Sequence, residues 1–148
     1  MQPAAAIART SLITGDGRSP HEVLVHDLAA GRRTGVLFTD DIRCPVHVAD
    51  LAAALLELAA GRRAGLYHAA GPDAVSRHEF GCLVARRDGL DPAALPAGTR
   101  AGRLPGPLAV RLDSRRTQAF LRTRLRGARE FLAPADADSS NPDAGAAR

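Results

Sequence analysis

The chain has 148 residues, 45% of them hydrophobic, which is enough for one domain with a real core and too apolar for disorder throughout. Only 3% of the residues are aromatic, so Ala, Leu and Val must build that core, and all 20 basic residues behind the net charge of +4 are arginines. The start lacks a basic and apolar leader, no run approaches the ~18 apolar residues of a membrane span, and the two cysteines have no C-x-x-C spacing, which together predict a soluble cytoplasmic protein without a disulfide framework.

Short apolar strands alternate with helices in the first ninety residues, a pattern that predicts an α/β fold. The predicted strands cover residues 5–13, 36–38 and 65–71. The predicted helices start at Ser19, at about Val48 and at Ser76, and each is followed by a glycine that can end it, namely Gly31, Gly61 and Gly89. At Ser19 and at Ser76 the serine is followed three residues later by glutamate, which is the pattern of a capping box.

Apolar spacing on two of these helices indicates which residues face the core. In the helix from Val48, leucines recur at i, i+4 and i+7, which places them on one face. In the helix after Ser76, an apolar group again lies on one side. The predicted inward residues are Leu51, Leu55, Leu58, Phe80, Leu83 and Val84.

The last third of the chain reads differently, because Pro and Gly are frequent between Leu90 and Pro107. Ser114 then predicts the N-cap of a final helical segment that Gly127 interrupts. Its predicted inward residues are Leu121, Leu125, Ala128 and Leu132, and its predicted outward residues are Arg115, Arg122, Arg126 and Arg129. From residue 133 the composition offers little to bury, so we expect an ordered domain over residues 1–132 and a disordered tail over 133–148.

Several segments occur in the order found in one enzyme family. Arg43–Ala52 reads R-C-P-V-H-V-A-D-L-A and resembles the R-x-x-x-H-V-x-D-L-A segment of extended short-chain dehydrogenases/reductases. Arg9–Gly15 is similar to the R-T-S-x-x-x-G strand end of that family, and Gly65–Gly71 is similar to its G-x-Y-x-x-x-G strand. Arg103–Gly106 resembles its R-P-G turn with one residue inserted. The resemblance is strongest to the dTDP-4-dehydrorhamnose reductase-like, or RmlD-like, branch and covers roughly residues 5 to 132.

This resemblance implies the C-terminal part of an NAD(P)-binding Rossmann-type fold, made of the last sheet strands and the substrate-binding lobe, with the N-terminal dinucleotide-binding half missing. The implied function is the substrate-binding part of an NAD(P)-dependent sugar-nucleotide reductase or epimerase. Arg43 and Arg103 match arginines that hold the pyrophosphate of the nucleoside diphosphate sugar, a role that suits a planar guanidinium. Thr10 and Ser11 match residues near the nicotinamide. Leu12 is a departure, since the rhamnose-forming reductases have a Trp here that packs on the sugar.

Hydride transfer in the family needs a Tyr-x-x-x-Lys pair, and this chain has one tyrosine, Tyr67, and no lysine. The sequence therefore predicts no catalytic residue and no bound cofactor for this chain alone, with NAD(P) belonging to the parent family. We expect at most weak binding of a nucleoside diphosphate sugar. The chain reads as a decayed gene product, a mis-called start or half of a split pair, and its exposed sheet edge predicts self-association or pairing with a separate N-terminal half.

One motif would favour a dinucleotide-binding site in this chain. Gly15-x-Gly17-x-x-Pro20 follows a strand, opens a helix and precedes Asp40 by about 20 residues, as in a dinucleotide fingerprint. However, Pro20 replaces the third glycine, and Asp16 would set a carboxylate beside a pyrophosphate. The motif is read as a plain strand-to-helix turn.

Other function classes find less support in the sequence. Residues 61–132 carry 14 arginines and six acidic residues, and an Arg-rich face over 100–129 makes a non-enzymatic nucleic-acid-binding module the alternative function. No helix-turn-helix, zinc-ligand or RNP pattern accompanies that face. A metal hydrolase is set aside, because the five histidines lack H-x-x-x-H spacing beside a glutamate, and no metal ligand is predicted.

Overall fold

In a computed structural model that describes residues 5–61 and 64–135, strands of two to four residues alternate with helices. The strands are β1 (Ala6–Arg9), β2 (Ile13–Thr14), β3 (Leu37–Phe38), β4 (Ile42–Arg43), β5 (Val46–His47), β6 (Gly65–His68), β7 (Val75–Ser76) and β8 (Ala97–Gly98). The helices are α1 (Pro20–Ala29), α2 (Val48–Ala60), α3 (Arg77–Arg87), α4 (Arg115–Gln118) and α5 (Ala128–Phe131), with a 3₁₀ turn over Pro92–Ala94. The predicted tail lies outside the described residues from position 136 onward.

The strands pair two by two, and three of the four pairs are parallel. β1 pairs with β6 in the register Ala6↔Gly65 to Arg9↔His68, β2 pairs with β5, and β3 pairs with β8. β4 and β7 form the antiparallel pair. Parallel neighbours need crossover connections, and helices supply them here, so the α/β fold class predicted from the alternating pattern is confirmed.

The first strand is shorter than the predicted span of 5–13, which was wrong in treating those residues as one strand. β1 ends at Arg9, and β2 starts at Ile13 beside a different partner. Within the described ranges β1 pairs with β6 alone, and its two apolar neighbours in register, Ile7 and Leu66, are exposed. This pair therefore presents an open edge and an apolar face.

Glu22 fixes the entry to α1 and confirms the predicted capping box. Ser19 caps the helix, and its hydroxyl and the Glu22 carboxylate bond reciprocally to each other's backbone N–H. The fully buried Glu22 carboxylate also accepts the N–H of Gly15 (3.2 Å) and of Gly17 (3.3 Å) and pairs with Arg87 at 2.7 Å. Burial alone would raise the pKa of Glu22, but these hydrogen bonds and Arg87 outweigh it and lower the pKa.

Helix α2 has the predicted bounds, with one exception to its predicted inner face. Leu51 and Leu58 are buried, whereas Leu55 is 41% exposed and the prediction for it was wrong. Ala54 takes the core position between the two leucines, because the buried stripe follows the i, i+3, i+7 course rather than i, i+4, i+7.

Helix α3 begins with Ser76, whose hydroxyl accepts the Glu79 N–H at 2.9 Å. The predicted reciprocal half of this capping box is absent from the described contacts, because the Glu79 carboxylate bonds Arg129 instead. Phe80 and Val84 are buried as predicted, and Leu83 packs against the same cluster while partly exposed. Gly89 follows the helix at a φ of 69°, a conformation in which glycine is favoured.

The predicted C-terminal helix starts where expected, with Ser114 at the N-cap position of α4, but the prediction was wrong in continuing the helix beyond Gln118. Two helices of four residues, α4 and α5, flank an irregular segment, and the Ser114 hydroxyl accepts the Ala70 N–H at 3.0 Å instead of capping a helix. The Glu57 carboxylate accepts the backbone N–H of Arg122 (2.6 Å) and of Thr123 (2.8 Å), which replaces helical hydrogen bonds. The apolar residues still turn inward: Leu125, Ala128 and Leu132 are buried and Leu121 is partly buried.

Two apolar clusters make up the core. One joins α1 and α3 to the C-terminal segment, and its members include Val25, Leu37, Phe80, Val84 and Leu132. The other joins α2 to β5 and to the end of β6 and consists of Val46, Leu51, Ala54, Ala69 and Leu125, with Leu121 against it. The C-terminal segment contributes to both clusters and so fastens the two halves of the fold together.

Gly71 marks the tightest backbone approach between these elements. A Cβ at this position would overlap the carbonyl oxygens of Pro45 and Arg126. Glycine at the end of the G-x-Y-x-x-x-G strand thus lets the β4–β5 connection, the end of β6 and the C-terminal segment meet. None of the helices in the described ranges is long and apolar enough to span a membrane.

Replacing Glu22 by alanine is expected to lower the free energy of unfolding by about 3–5 kcal/mol, because a buried charge partner and several backbone N–H groups lose their acceptor. Urea unfolding at pH 7 measures this loss. Glu130→Ala is the matched control, since Glu130 pairs with Arg124 on the surface, and it should cost at most about 1 kcal/mol. Equal losses in the two variants would contradict the role of Glu22.

The same group predicts a pH dependence. The folded-state pKa of Glu22 lies below its ordinary value of 4.5, so its contribution is fully present above that value and is lost as the pH falls through the folded-state pKa. The difference in stability between wild type and Glu22→Gln should therefore shrink on acidification. A difference that stays constant down to pH 2 would contradict this.

Candidate functional site

Arg43, the better matched of the two predicted pyrophosphate arginines, lies in β4 between β7 and the segment around Leu108. The backbone of Ile42 bonds Leu108 and Val110 on that side, with N···O distances of 2.7 and 3.0 Å. The Nη1 atom of Arg43 donates to the Ile42 carbonyl (2.6 Å), to the Leu108 carbonyl (3.2 Å) and pairs with Asp41 Oδ1 (2.7 Å). The Arg43 side chain is 19% exposed, and in the described part of the chain its Nε and Nη2 have no hydrogen-bond partner, so two N–H groups on one edge of the guanidinium are not satisfied by the protein.

Asp41 is shared by a second arginine, Arg100. Arg100 Nη1 lies 3.4 Å from Asp41 Oδ1 and 2.8 Å from the Pro107 carbonyl, and its Nη2 bonds the Pro105 carbonyl. The neighbouring Asp40 carboxylate accepts the backbone N–H groups of Arg100 (2.6 Å) and Ala101 (2.9 Å), and the bond from Arg100 is the main reason why the pKa of Asp40 is lowered. The two aspartates thus hold the loop 100–107 beside Arg43.

A third arginine completes the group, which we name the arginine cluster: Arg43, Arg77 and Arg100 around Asp41. Arg77 is the first residue of α3, and its backbone N–H donates to the Asp41 carbonyl at 3.0 Å. Burial lowers the pKa of Arg77, the Asp41 charge opposes that shift, and repulsion from Arg43 adds to it. No carboxylate of the described residues lies within ion-pair distance of Arg77. Even with Asp40 counted, positive charge is in excess here.

Arg103, the other predicted pyrophosphate arginine, lies on the exposed tip of the loop 100–107. Its backbone N–H donates to the Arg100 carbonyl at 2.9 Å, and the described residues hold no partner for its side chain. The structure brings Arg103 onto the same loop as Arg100 but leaves it outside the contacts with Asp41. Arg100 and Arg77 were not predicted as members of this group. Their only signals in the sequence are that Arg100 lies three residues before Arg103 and that Arg77 directly follows the cap residue Ser76.

Thr10 and Ser11, predicted to lie near a nicotinamide, follow the end of β1. The Ser11 hydroxyl accepts the Cys44 N–H at 3.1 Å, so Ser11 lies next to the residue that follows Arg43. Thr10 is exposed. Ser11 and Arg43, one residue from each predicted pair, are therefore neighbours through the backbone of Cys44.

The remaining residues of the Arg43–Ala52 segment have structural contacts. His47 caps α2, with its Nδ1 accepting the Ala49 N–H at 3.2 Å. Asp50 receives the Arg126 side chain through two bonds of 2.9 Å and the Arg126 N–H at 3.1 Å. One short segment thus contains the partly satisfied Arg43 guanidinium, the cap of α2 and the carboxylate that holds the C-terminal segment.

A cavity of about 620 Å³ lies on the other side of Cys44. Its walls include Cys44, Ala70, Leu112, Leu125 and the side chain of Arg111. None of the four predicted site residues lines it. The arginine cluster and this cavity are separate features of the surface.

The turn 15–17 does not fit a dinucleotide pyrophosphate. Gly15, Asp16 and Gly17 all have positive φ, as a tight turn requires, but the Glu22 carboxylate already accepts the N–H groups of both glycines. A pyrophosphate would have to displace a buried carboxylate from those groups. The interpretation as a plain strand-to-helix turn agrees with these contacts, and the described residues around this turn hold no other phosphate cradle.

The arginines that suggested nucleic-acid binding are largely paired within the chain. Of the nine arginines between positions 100 and 129, five have carboxylate partners, namely Arg100, Arg115, Arg124, Arg126 and Arg129. Arg115, for example, holds the pKa of Asp113 at about 2. Within residues 5–61 and 64–135, no group of three or more His, Cys, Asp or Glu side chains is placed to bind a metal ion.

The parallel pairings and the crossover helices define an α/β protein of Rossmann type. A protein-family profile described as the RmlD substrate binding domain matches residues 1–138. The chain belongs to this RmlD substrate-binding family, within the short-chain dehydrogenase/reductase group, as its motifs predicted. The match spans nearly the whole domain predicted from the sequence.

Individual relatives agree with this assignment. The chain is 35% identical over 144 residues to dTDP-4-dehydrorhamnose reductase of Mycobacterium tuberculosis, a match that covers 94% of this chain and 47% of that enzyme. It superimposes with a TM-score of 0.67 and 27% identity on a hypothetical dTDP-4-dehydrorhamnose reductase from Sulfolobus tokodaii, covering 85% of this chain and 45% of that one. MoeE5, solved with UDP-glucose and NAD, gives a TM-score of 0.67 at 25% identity, with 86% and 44% covered. The chain thus spans about half the length of its relatives.

Asp41→Asn should lower the free energy of unfolding by about 2–4 kcal/mol, because two half-buried guanidinium groups lose their shared counter-charge. Limited proteolysis should also cut the loop 100–107 faster in this variant. Asp113→Asn is the matched control, since it removes an exposed Asp–Arg pair and should cost much less stability than Asp41→Asn. Unchanged cleavage of the loop in Asp41→Asn would show that Asp41 does not hold it.

Proposed function

We propose that this chain is the substrate-binding part of an NAD(P)-dependent sugar-nucleotide reductase or epimerase of the dTDP-4-dehydrorhamnose reductase type. In this proposal it binds the diphosphate of a nucleoside diphosphate sugar through Arg43. The observation that carries the proposal is the free Nε and Nη2 edge of Arg43 within a group of three arginines. The relative solved with UDP-glucose and NAD supports the same class of ligand.

The charge balance of the arginine cluster supports an anionic ligand. Asp41 accepts from Arg43 and Arg100 at once, and Arg77 adds a third positive charge that no carboxylate of the described residues pairs. Partly buried positive charge in excess is stabilised by a ligand with two or more negative charges. A diphosphate supplies that charge and the oxygen spacing for a two-bond contact with one guanidinium.

The local rigidity of Arg43 also supports binding. Two hydrogen bonds and the ion pair at Nη1 orient the Arg43 guanidinium before any ligand arrives, so little side-chain entropy is lost on binding. Arg103 remains part of the proposal as a more mobile contact from the exposed tip of the loop. Thr10 and Ser11 would line the nicotinamide side of the parent fold, since Ser11 is bonded to the residue after Arg43.

The proposed function of this chain by itself includes no redox chemistry. The chain contains no Tyr-x-x-x-Lys pair, and its Gly15–Gly17 turn is occupied by Glu22. In this proposal NAD(P) is bound by the complete parent fold and not by this chain alone. In a coupled assay with NADH or NADPH and a 4-keto nucleotide sugar, the isolated chain should show no cofactor oxidation above background, and measurable turnover would contradict this part of the proposal.

The open edge of β1 is the proposed place for a partner. Its unpaired backbone and the exposed Ile7 and Leu66 suit another strand and its covering helix. The partner in this proposal is a polypeptide that carries the other half of the Rossmann sheet, or a second copy of this chain. The nucleic-acid alternative is not favoured, because the paired arginines leave little charge for phosphates of a backbone.

Arg43→Ala should weaken the binding of a nucleoside diphosphate such as dTDP at least tenfold, because a charge-assisted two-bond contact is lost. Isothermal titration calorimetry at low salt measures the affinity, and circular dichroism checks that the variant is folded. Arg116→Ala is the control, since Arg116 is exposed on α4 and has no ion-pair partner among the described residues. Equal affinities of wild type and Arg43→Ala would refute the assignment.

A further inference from the structure

Arg77 differs from the other arginines of the chain in its surroundings. It is partly buried, it contacts no carboxylate in the described residues, and its side chain makes a single described hydrogen bond, to an uncharged ring. Holding an unpaired guanidinium in such a place costs free energy, as the lowered pKa of Arg77 reflects. A ligand that supplies negative charge would offset this cost.

That single hydrogen bond connects Arg77 to α1. Arg77 Nη2 lies 3.1 Å from His21 Nδ1, and a guanidinium can only donate, so Nδ1 must be the unprotonated nitrogen of the ring. Burial and the Arg77 charge lower the pKa of His21, while Glu22 opposes the shift, so the ring stays neutral at pH 7. His21 thus orients Arg77 without cancelling its charge.

The position of Arg77 ties it to Arg43. Its backbone N–H holds the Asp41 carbonyl, and the Asp41 carboxylate holds Arg43 and Arg100. The bond from the Arg77 N–H to the Asp41 carbonyl and the pairing of β4 with β7 bring Arg77 near Arg43, and repulsion between the two charges contributes to the lowered pKa of Arg77. Two guanidinium groups that repel in the absence of ligand are brought into balance by a dianion placed between them.

We propose that Arg77, oriented by the neutral ring of His21, is a second binding group for the diphosphate at the Arg43 site. This inference rests on the proposed function and adds two residues to it. Neither residue lies in the segments whose order identified the family. In this arrangement Arg43 binds one phosphate through Nε and Nη2, and Arg77 binds the other through the nitrogens that His21 leaves free.

The test measures binding of two probes, inorganic pyrophosphate and dTDP, by isothermal titration calorimetry at low salt. Arg77→Met, which keeps the apolar stem, and Arg77→Ala should each bind both probes about tenfold more weakly, or worse, than wild type. Arg86→Ala is the matched control, because Arg86 is an exposed arginine on the same helix, and it should stay within about twofold of wild type.

The role of His21 is tested by a conservative exchange. His21→Gln keeps an acceptor that the Arg77 guanidinium can bond and should retain most of the pyrophosphate affinity. His21→Leu removes the acceptor at similar volume. This variant should bind pyrophosphate more weakly although it retains Arg43. Equal affinities of the Gln and Leu variants, both folded by circular dichroism, would overturn the positioning role.

The outcomes separate the two proposals. Weak binding by Arg43→Ala with wild-type binding by both Arg77 variants would keep the proposed function and overturn the role of Arg77. Arg77-dependent binding of pyrophosphate without binding of dTDP would keep the role of Arg77 and overturn the nucleotide as ligand. A wild-type chain that binds neither probe would overturn both.

Discussion

The Asp41 carboxylate, held between Arg43 and Arg100, is the contact on which the arrangement of the site depends. One nearly buried oxygen receives Nη1 of both arginines, and the Asp41 carbonyl receives the first N–H of α3. Through these bonds a strand, a loop and a helix start are fixed to one residue. Because the carboxylate meets only one corner of the Arg43 guanidinium, the opposite edge remains available for a ligand. The proposed diphosphate contact and the anchoring of the loop 100–107 thus involve the same carboxylate.

A second set of carboxylates holds the C-terminal segment against this frame. Asp50 binds Arg126, Glu57 binds the backbone at positions 122 and 123, and Asp73 accepts the Arg129 N–H. Asp50 and Glu57 belong to α2, which forms part of the core, so the segment is fastened by side chains where helical hydrogen bonds are missing. Much of the arginine content of this region serves internal pairing with these carboxylates.

Local signals in the sequence predicted the three helices of the first ninety residues well, and the strands less well. Ser19 and Ser76 cap α1 and α3, and α2 has its predicted bounds, because capping and termination depend on residues within one turn of the helix end. The C-terminal helix was predicted from the spacing of four apolar residues, and their burial was right while the helix was wrong. Contacts with Glu57 and Asp50, more than sixty residues away in sequence, decide the backbone there, and no local pattern contains them.

The site was predicted in part for the same reason. Arg43 and Ser11 are neighbours in space through Cys44, as motifs shared with a family indicated, and their proposed roles remain predictions. Arg100 and Arg77 belong to the arginine cluster only through the tertiary fold, which brings a loop and a helix start to Asp41. Arg103 likewise lies exposed on a loop that Arg100 holds through the carbonyls of Pro105 and Pro107, and the local sequence does not contain those contacts.

The most direct measurement is a crystal structure of the chain soaked or grown with dTDP. We expect diphosphate oxygens within hydrogen-bond distance of Arg43 Nε and Nη2, and we expect the Asp41–Arg43 ion pair to stay intact. A nucleotide bound instead in the cavity beside Cys44 and Arg111, with the Arg43 edge still facing solvent, would contradict the assignment of the binding site.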